Sequence, residues 1–394
     1  MSSPLIRLII PFTLGMIGAN WLIDKMDMGV LFILCCIVLA ILFFLLKTSS
    51  TYHDNKFGMV AGVFFFLIGM TLYTGKYQRT INSTPTETSL ISTAKTLQER
   101  LHHIYEDHCI QGKEGSIVEA MTIGRKADLS KDTRQAYANA GISHLLALSG
   151  FHVGIIVLMI QVFFLKTLLP LRWQWVSNLF IIATLWCYAL LTGLSPSLVR
   201  ATTMFTILLL CQSLSHEAFS LNSCALAFFI MLCINPFYLT HIGFQLSFIA
   251  VAAIALYIRP ITTSCPSRHN LLRFLWSLLF ITLLCTLFTA PLVAHYFGRI
   301  SLLSLPSNLA ITLFVYLLMM STLLWWLFLW CDPINHILTD LLNWTATTMN
   351  GIVEHLASLP FATIEWRPSI PTTLLCYTLL LTLTYFITKS KHTL

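Results

Sequence analysis

Long apolar runs separated by short polar segments make up most of the chain. A bilayer core about 30 Å thick is crossed by about 20 consecutive apolar residues in a helix. Runs of about this length predict eleven membrane-crossing helices, at 5–23, 29–46, 57–74, 142–166, 173–193, 197–214, 220–238, 242–258, 271–296, 302–330 and 370–388.

The stretch 334–359 differs from these runs because it mixes apolar residues with polar and charged ones. Its polar positions are Asn335, His336, Asp340, Asn343, Asn350, Glu354 and His355. Such a mixture is typical of a helix with one apolar and one polar face. It predicts either an interfacial helix or a helix that faces a channel.

A polar segment follows the third apolar run and extends to about residue 141. Leu90, Leu97, Leu101 and Ile104 recur at roughly helical spacing, so we expect a helix there. Gly112 and Gly115 are expected to interrupt it, and a second helical run is expected over about 116–124. The division predicted is an N-terminal membrane part (1–75), a polar segment with short helices (76–141) and a second membrane part (142–394).

Composition supports this pattern. Of the 394 residues, 57% are hydrophobic and 10% are charged, whereas soluble domains have about 25% charged residues. The predicted fold class is therefore an all-α polytopic integral membrane protein with about 10–12 transmembrane helices. The 11 cysteines show no CxxC or Cys/His ligand spacing, so we interpret them as small buried apolar residues and not as a disulfide or zinc framework. We also expect no other metal site, no cofactor and no catalytic site.

The distribution of Lys and Arg predicts the orientation, because cytoplasmic loops are enriched in both. With the N-terminus in the cytoplasm and strict alternation, ten of the 23 basic residues fall in inner loops and three in short outer loops. Nine more lie in 75–141, and Arg200 lies inside a run. This orientation requires 334–359 to cross the membrane. We expect a multi-pass membrane protein with a cytoplasmic N-terminus.

Four polar motifs occur at the ends of apolar runs, and the predicted topology puts all of them on the outer side. An Arg at membrane depth costs several kcal/mol unless it is paired or faces water, and Arg200 is about one turn into its run. Small residues in such motifs are often packing positions instead. The motifs are Gly141–Gly154 (GISHLLALSGFHVG), Thr192–Ala201 (TGLSPSLVRA), Asn235–Phe248 (NPFYLTHIGFQLSF) and Ala290–Ser301 (APLVAHYFGRIS), the last followed by Pro306 and Asn308.

One soluble cluster has the residue types of a metal site. It comprises His102, His103, Glu106, Asp107, His108 and Cys109. On a single helix these residues spread over most faces. A solvated surface is therefore the expectation, and a zinc site is not.

In order along the chain, the motifs resemble those of the ComEC competence family: Gly141–Gly154, Ser195–Ala201, Gly243–Phe248, Ala290–Asn308 and the later Ser358-Leu-Pro360. The resemblance covers about 116–360. It implies an inner-membrane channel that passes single-stranded DNA into the cytoplasm during natural transformation. The residues it implies at the channel mouth are Ser143, His144, Ser149, His152, Ser197, Arg200, His241, Gln245, His295, Arg299 and Asn308.

The resemblance also implies partners. These are single-stranded DNA, the lipid bilayer, an extracytoplasmic DNA receptor, a cytoplasmic helicase-like motor and a separate nuclease, and a homodimer is left open. Family members usually carry an OB-type domain and many carry a metallo-β-lactamase-type domain. The chain has no room for the first and no His-x-His-x-Asp-His motif for the second. We therefore expect no nuclease activity of its own.

Three other functions fit parts of the pattern. A repurposed relative acting as a small-molecule transporter or permease would also use broken helices and intramembrane polar groups. An intramembrane serine hydrolase would use Ser149, with His241 or His295 reaching it as the base. A purely structural scaffold is the third alternative, and it does not explain why Arg200 is placed at membrane depth, where an arginine costs several kcal/mol.

Overall fold

The computed structural model describes residues 4–22, 28–48, 55–82, 89–108, 112–162, 174–215, 221–263, 269–359 and 362–390. The described residues form fifteen α-helices, two 3-10 helices and one pair of short strands. The helices are α1 (Pro4–Leu22), α2 (Met28–Thr48), α3 (Asn55–Asn82), α4 (Ser89–Asp107), α5 (Gly112–Thr122), α6 (Lys131–Asn139), α7 (Gly150–Ile160), α8 (Gln174–Leu191), α9 (Pro196–Ser215), α10 (Leu221–Ile234), α11 (Ile242–Thr263), α12 (Asn270–Phe297), α13 (Ser304–Leu327), α14 (Asp332–Ala357) and α15 (Ile370–Ser390).

The 3-10 helices are Ser143–Leu146 and Pro236–Thr240, and the strands are β1 (Arg299–Ser301) and β2 (Thr363–Glu365). Every predicted apolar run overlaps a helix, so the protein is an all-α polytopic membrane protein as expected. Within the described residues, five helices are long and apolar enough to cross a membrane: Leu5–Leu22, Gly58–Thr80, Pro196–Leu214, Leu272–Phe297 and Ser304–Leu327. The count of 10–12 transmembrane helices stays a prediction.

The chain folds as two compact units. The first comprises Met1–Glu87 with Leu214–Gln245, and the second comprises Thr88–Ser213 with Leu246–Leu394. The predicted division at residues 75 and 141 concerns position relative to a membrane and stays a prediction.

In the first unit, α1 and α3 approach each other closely. A Cβ added to Gly15 would lie 2.0 Å from Phe66 O, and one added to Gly69 would lie 2.2 Å from Phe12 O. Only glycine allows backbones to meet at this distance, which is a common means of helix packing in membranes. The Tyr73 hydroxyl donates to Asn20 Oδ1 (2.6 Å) along the same contact.

In the second unit, the hairpin of α13 and α14 forms a large part of the core. Its buried apolar residues meet those of α5, α7 and α8 in one cluster. The Trp325 indole, at the end of α13, stacks on Tyr105 of α4 with ring centroids 5.0 Å apart. Its Nε1–H donates to Thr339 Oγ1 (2.9 Å), so the polar end of this buried ring is satisfied.

The polar segment contains more helix than the sequence predicts. The helix expected over Leu90–Ile104 is present as α4. Gly115 was expected to interrupt a helix, but it lies buried inside α5, so that prediction is wrong. The helix α6 was not predicted; its N-cap Ser130 Oγ accepts a hydrogen bond from Thr133 N (3.0 Å), which is a favourable helix start.

Candidate functional site

The first polar motif begins at Gly141, where a larger residue would meet both an unfavourable backbone conformation and neighbouring side chains. Gly141 has φ +75°, a conformation that glycine adopts without strain. A Cβ there would lie 2.7 Å from the Cβ atoms of both Ser301 and Ser304. The Ser301 hydroxyl donates to Asn139 O (2.8 Å). This joint brings the first motif into contact with the fourth.

The 3-10 helix after Gly141 separates polar from apolar side chains. Ser143 and His144 are exposed, whereas Leu145 and Leu146 are buried. Their placement at a channel mouth stays a prediction.

Ser149 caps α7 together with His152, which lies in the first turn. The Ser149 backbone N–H donates to His152 Nδ1 (3.3 Å), and Ser149 Oγ lies 3.0 Å from the same nitrogen. The predicted shared face of these two residues is confirmed. His152 is 0% exposed, and its Nε2 has no hydrogen-bond partner among the described residues.

The start of α7 lies beside α9, which joins the first motif to the second. A Cβ on Gly150 would lie 3.8 Å from Ala201 Cβ, and one on Gly154 would lie 3.7 Å from the Phe205 ring. Helix N-termini carry partial positive charge and unpaired N–H groups. The first residue of α7 meets the sixth residue of α9, so the two ends are offset by about one and a half turns along the helix axis.

Arg200 lies in the first turns of α9 and is 6% exposed. Ser197, one turn earlier, is half-buried. The hydroxyls of Ser195 and Thr202 are buried, and neither has a hydrogen-bond partner among the described residues. Arg200 therefore places a buried cationic residue in α9, next to Ala201, which contacts Gly150 of α7.

The residues of the fourth motif hold the turn after α12. His295 Nδ1 lies 2.9 Å from Pro368 O and donates to it. Gly298 ends α12 with φ 69°, and Arg299 begins β1, opposite Glu365 of β2. Asn308 Nδ2 donates to Ser304 O (2.7 Å) inside α13. His295 is therefore hydrogen-bonded to a backbone carbonyl. This contact does not support the hydrolase interpretation, in which His295 would act as the base for Ser149.

The third motif belongs to the first unit up to Gln245. His241 is exposed at the end of the second 3-10 helix. The Gln245 side-chain amide donates to Leu239 O (2.9 Å), and the Gln245 backbone N–H donates to His241 O (3.1 Å). These bonds shape the turn before α11. The second unit by itself brings together the first, second and fourth motifs.

A charged cluster that the sequence did not reveal links α4 to α5. His102 Nδ1 lies 2.8 Å from Glu119 Oε2, with side chains 12% and 6% exposed. Arg125 Nε lies 3.1 Å from Asp128 Oδ2. The expected solvated surface is correct for His103, which is 72% exposed, and wrong for His102. The pairing was hidden because Glu119 lies in a separate helix.

This cluster is also the group of described residues that comes nearest to a compact metal site. The donor atoms of His102, Glu119 and Asp128 all lie within 4.8 Å of one another. Arg125 already supplies positive charge to both carboxylates, so the arrangement is an ion-pair network. Burial raises the pKa of Glu119, and the neighbouring His102 and Arg125 oppose that rise.

Comparison with known proteins shows which protein family the chain is similar to. The family model described as "Competence protein" matches residues 121–390. ComE operon protein 3 of Bacillus subtilis (strain 168) is 29% identical over 216 residues, which are 55% of this chain and 26% of that protein. Recombination protein 2 of Haemophilus influenzae is 26% identical over 214 residues, again 26% of its length.

An uncharacterized protein of Aquifex aeolicus is 30% identical over 198 residues, which are 46% of both chains. The matched part of this chain thus spans about a quarter of the length of the first two relatives. No solved structure is similar enough to count as a match. The matched region contains all the motifs from which the resemblance was drawn.

Proposed function

Because the chain belongs to the Competence protein family, we propose that it forms a channel that passes single-stranded DNA into the cytoplasm during natural transformation. The family match covers 121–390, which includes the site residues of both units. The relatives named for the ComE operon and for recombination are consistent with a role in DNA uptake.

The observation that carries the proposal is the meeting of three motifs in the second unit. The contacts of Gly141 with Ser301 and Ser304, and of Gly150 with Ala201, join them. The N-terminus of α7 and the buried Arg200 supply positive charge there. Binding of a DNA strand without sequence preference depends mainly on attraction of its phosphates and on base stacking.

Base stacking has a candidate platform beside this charge. The Phe151 ring, half-buried at the start of α7, meets Tyr316 of α13 edge to face with centroids 5.5 Å apart. Aromatic side chains tolerate every base because each base has a π-face. In the proposal, Ser143 and His144 line the entrance, and Phe151 lies next to the phosphate-attracting groups.

The proposed setting is the bacterial inner membrane with a cytoplasmic N-terminus. The excess of Lys and Arg in the loops assigned to the inside supports this orientation. Residues 76–141 would then lie outside the cytoplasm, where an incoming strand arrives. The side chains at the channel mouth would open on that same side.

The proposal assigns the other steps of uptake to other proteins. An extracytoplasmic receptor would deliver the DNA, a separate nuclease would degrade one strand, and a cytoplasmic helicase-like motor would draw in the other. The site itself would conduct the strand and perform no hydrolysis. Ser149 Oγ lies 3.0 Å from His152 Nδ1, a distance that a helix cap and a serine with its base both allow, so labelling of Ser149 by a serine-reactive probe would overturn this assignment. Association as a homodimer is part of the same proposal.

Strand entry tests the proposal directly. Cells of the source strain with and without the gene receive labelled double-stranded DNA, and cytoplasmic label is counted separately from label held outside the inner membrane. We expect cytoplasmic label to disappear without the gene while the outer pool persists. Unchanged cytoplasmic label would overturn the channel and leave small-molecule transport as the better explanation.

Arg200→Ala tests the site itself. We expect the variant to insert normally but to lower DNA entry about tenfold or more, since loss of one phosphate contact of 1.4 kcal/mol already gives a factor of ten. Arg100→Ala, which removes the same charge from an exposed position on α4, is the matched control and should leave entry unchanged. Normal entry in both variants would refute the role of Arg200.

A further inference from the structure

Helices α5 and α8 end next to each other in the second unit. The Tyr188 hydroxyl of α8 donates to the carbonyl oxygen of Thr122, the last residue of α5 (2.7 Å). A Cβ added to Gly124, just after α5, would lie 3.7 Å from the carbonyl oxygen of Thr192, the residue after α8. The last carbonyl groups of a helix have no partner within the helix and carry partial negative charge. Two such ends therefore need hydrogen-bond donors from elsewhere.

One side chain of α4 supplies donors to both helix ends. Gln98 Nε2 donates to Ile123 O (2.7 Å) and to Thr192 O (3.3 Å). The side-chain amide of glutamine has two N–H groups, so one is available for each carbonyl oxygen. The two acceptors are 25 and 94 residues away from Gln98 along the chain. A single amide therefore joins α4 to the ends of α5 and α8.

The connection between α8 and α9, which we call the 192–195 turn, has an unusual backbone. Gly193 has φ +76° and Leu194 has φ 52°. Glycine adopts such angles freely, whereas leucine rarely does. Among the residues that the structure describes, Leu194 is the only non-glycine residue with a positive φ. A backbone of this kind persists only where surrounding contacts hold it.

Gln98 lies directly over the 192–195 turn. A Cβ added to Gly193 would lie 2.8 Å from Gln98 Oε1 and 3.1 Å from Gln98 Cδ. The amide thus packs against Gly193 and bonds to the carbonyl of Thr192, the residue before it. Both contacts are made where the left-handed pair of residues begins. Gln98 is therefore one of the contacts that hold this backbone.

The 192–195 turn determines where α9 starts. Pro196 begins α9 directly after the turn. Proline fixes its own φ and restricts the residue before it to extended conformations. The conformational freedom of the connection therefore lies mainly in Gly193 and Leu194. Arg200 follows Pro196 by about one helical turn, so its position depends on the same two residues.

We propose that Gln98 is a positioning residue for the channel. Its amide holds the 192–195 turn in the left-handed conformation, and the turn fixes the start of α9 and the position of Arg200. The effect on DNA rests on the proposed function, whereas the effect on the turn does not. Helix α4 thus contributes to the site although it lies outside all four motifs.

Hydrogen exchange tests whether Gln98 holds the turn. Gln98→Met removes the donors and keeps a long, unbranched side chain at a half-buried position, so the variant is expected to fold. In the full-length protein, purified in detergent, mass spectrometry follows exchange of the Gly193 and Leu194 amides. We expect Gln98→Met to exchange about tenfold faster there. Gln135→Met, which removes an exposed amide that bonds to Asn139 (2.7 Å), is the matched control and should not change this exchange.

DNA binding tests the effect on the site. The same proteins are titrated with labelled single-stranded DNA at several salt concentrations. Each lost phosphate contact reduces the slope of log affinity against log salt by about 0.7 on single strands. We expect this reduction in Gln98→Met, as in Arg200→Ala, and not in Gln135→Met. A merely structural role of Gln98 would lower stability and leave the slope of the folded protein unchanged.

The two measurements separate this inference from the proposed function. Unchanged exchange at the turn in Gln98→Met would overturn the inference, and so would faster exchange with an unchanged salt slope. Gln98→Asn keeps the amide but shortens its reach, and it should show both changes to a smaller extent. Absence of DNA binding by the unmodified protein would overturn the proposed function and with it the effect on DNA. Faster exchange in Gln98→Met would then still support the contact between Gln98 and the turn.

Discussion

Replacing Gly141 with alanine perturbs the joint between the first and fourth motifs in two separable ways. An alanine at φ +75° costs about 1–2 kcal/mol because its Cβ crowds the backbone. That Cβ would also lie 2.7 Å from the Cβ atoms of Ser301 and Ser304, and overpacking of this kind costs about 1–3 kcal/mol. We therefore expect Gly141→Ala to lower the free energy of unfolding by about 2–5 kcal/mol.

Two other glycines separate these contributions. Gly112 has φ +76°, but a Cβ there meets only Glu114 Oε2 at 4.0 Å, so Gly112→Ala should cost about 1–2 kcal/mol. Gly351 lies inside α14 with open space around it, so Gly351→Ala should stabilise the protein by about 0.5–1 kcal/mol.

The assay is denaturant unfolding of the purified variants in mixed micelles, followed by circular dichroism. Gly141→Ala should be the least stable of the three, and Gly351→Ala the most stable. If Gly141→Ala and Gly112→Ala lose the same free energy, the serine contacts are not a clash. If Gly141→Ala unfolds like the unmodified protein, the whole account of the joint is refuted.

Three further predictions concern single interactions in the second unit. Ser149→Ala removes the cap of α7 and should cost about 0.5–2 kcal/mol of stability; a serine-reactive probe should label neither form, and labelling would contradict a purely capping role. Tyr188→Phe removes the hydroxyl that donates to Thr122 O (2.7 Å). The loss should cost about 1–3 kcal/mol of unfolding free energy, since Thr122 is buried. An unchanged unfolding free energy would show that water replaces the bond. Burial raises the pKa of Glu119 above its ordinary value of 4.5, so the protonated form favours the fold, and stability should fall as pH rises through that raised pKa. Glu119→Gln should remove this fall in thermal unfolding measured between pH 4 and 8, and a fall of the same size in the variant would assign it to another group.

Local pattern predicted the helices better than the contacts between them. The apolar runs and the Leu90–Ile104 spacing are strong local signals, and helices lie at all of them. The short helix α6 was not predicted because its residues are mostly polar and form no apolar pattern of helical spacing. Gly115 was expected to break a helix, yet burial of its neighbours outweighs the poor helix propensity of glycine.

The sequence predicted which motifs form the site, and it predicted contacts within a motif but not contacts between helices. That Ser149 and His152 share a face follows from their spacing of three residues. The pairing of His102 with Glu119 does not, because it joins two helices whose packing depends on the whole unit. Tertiary contacts of this kind leave no periodic signal.

The pairing of β1 with β2 has a consequence for how the chain can vary. Leu302 N donates to Ala362 O (3.0 Å), so the chain leaves for the α13–α14 hairpin and returns from it at a single point. The cost of closing a loop grows only slowly with its length. Insertions in the turn between α13 and α14 should therefore cost little closure entropy, whereas replacement of the hairpin would remove the buried residues that it supplies to the core.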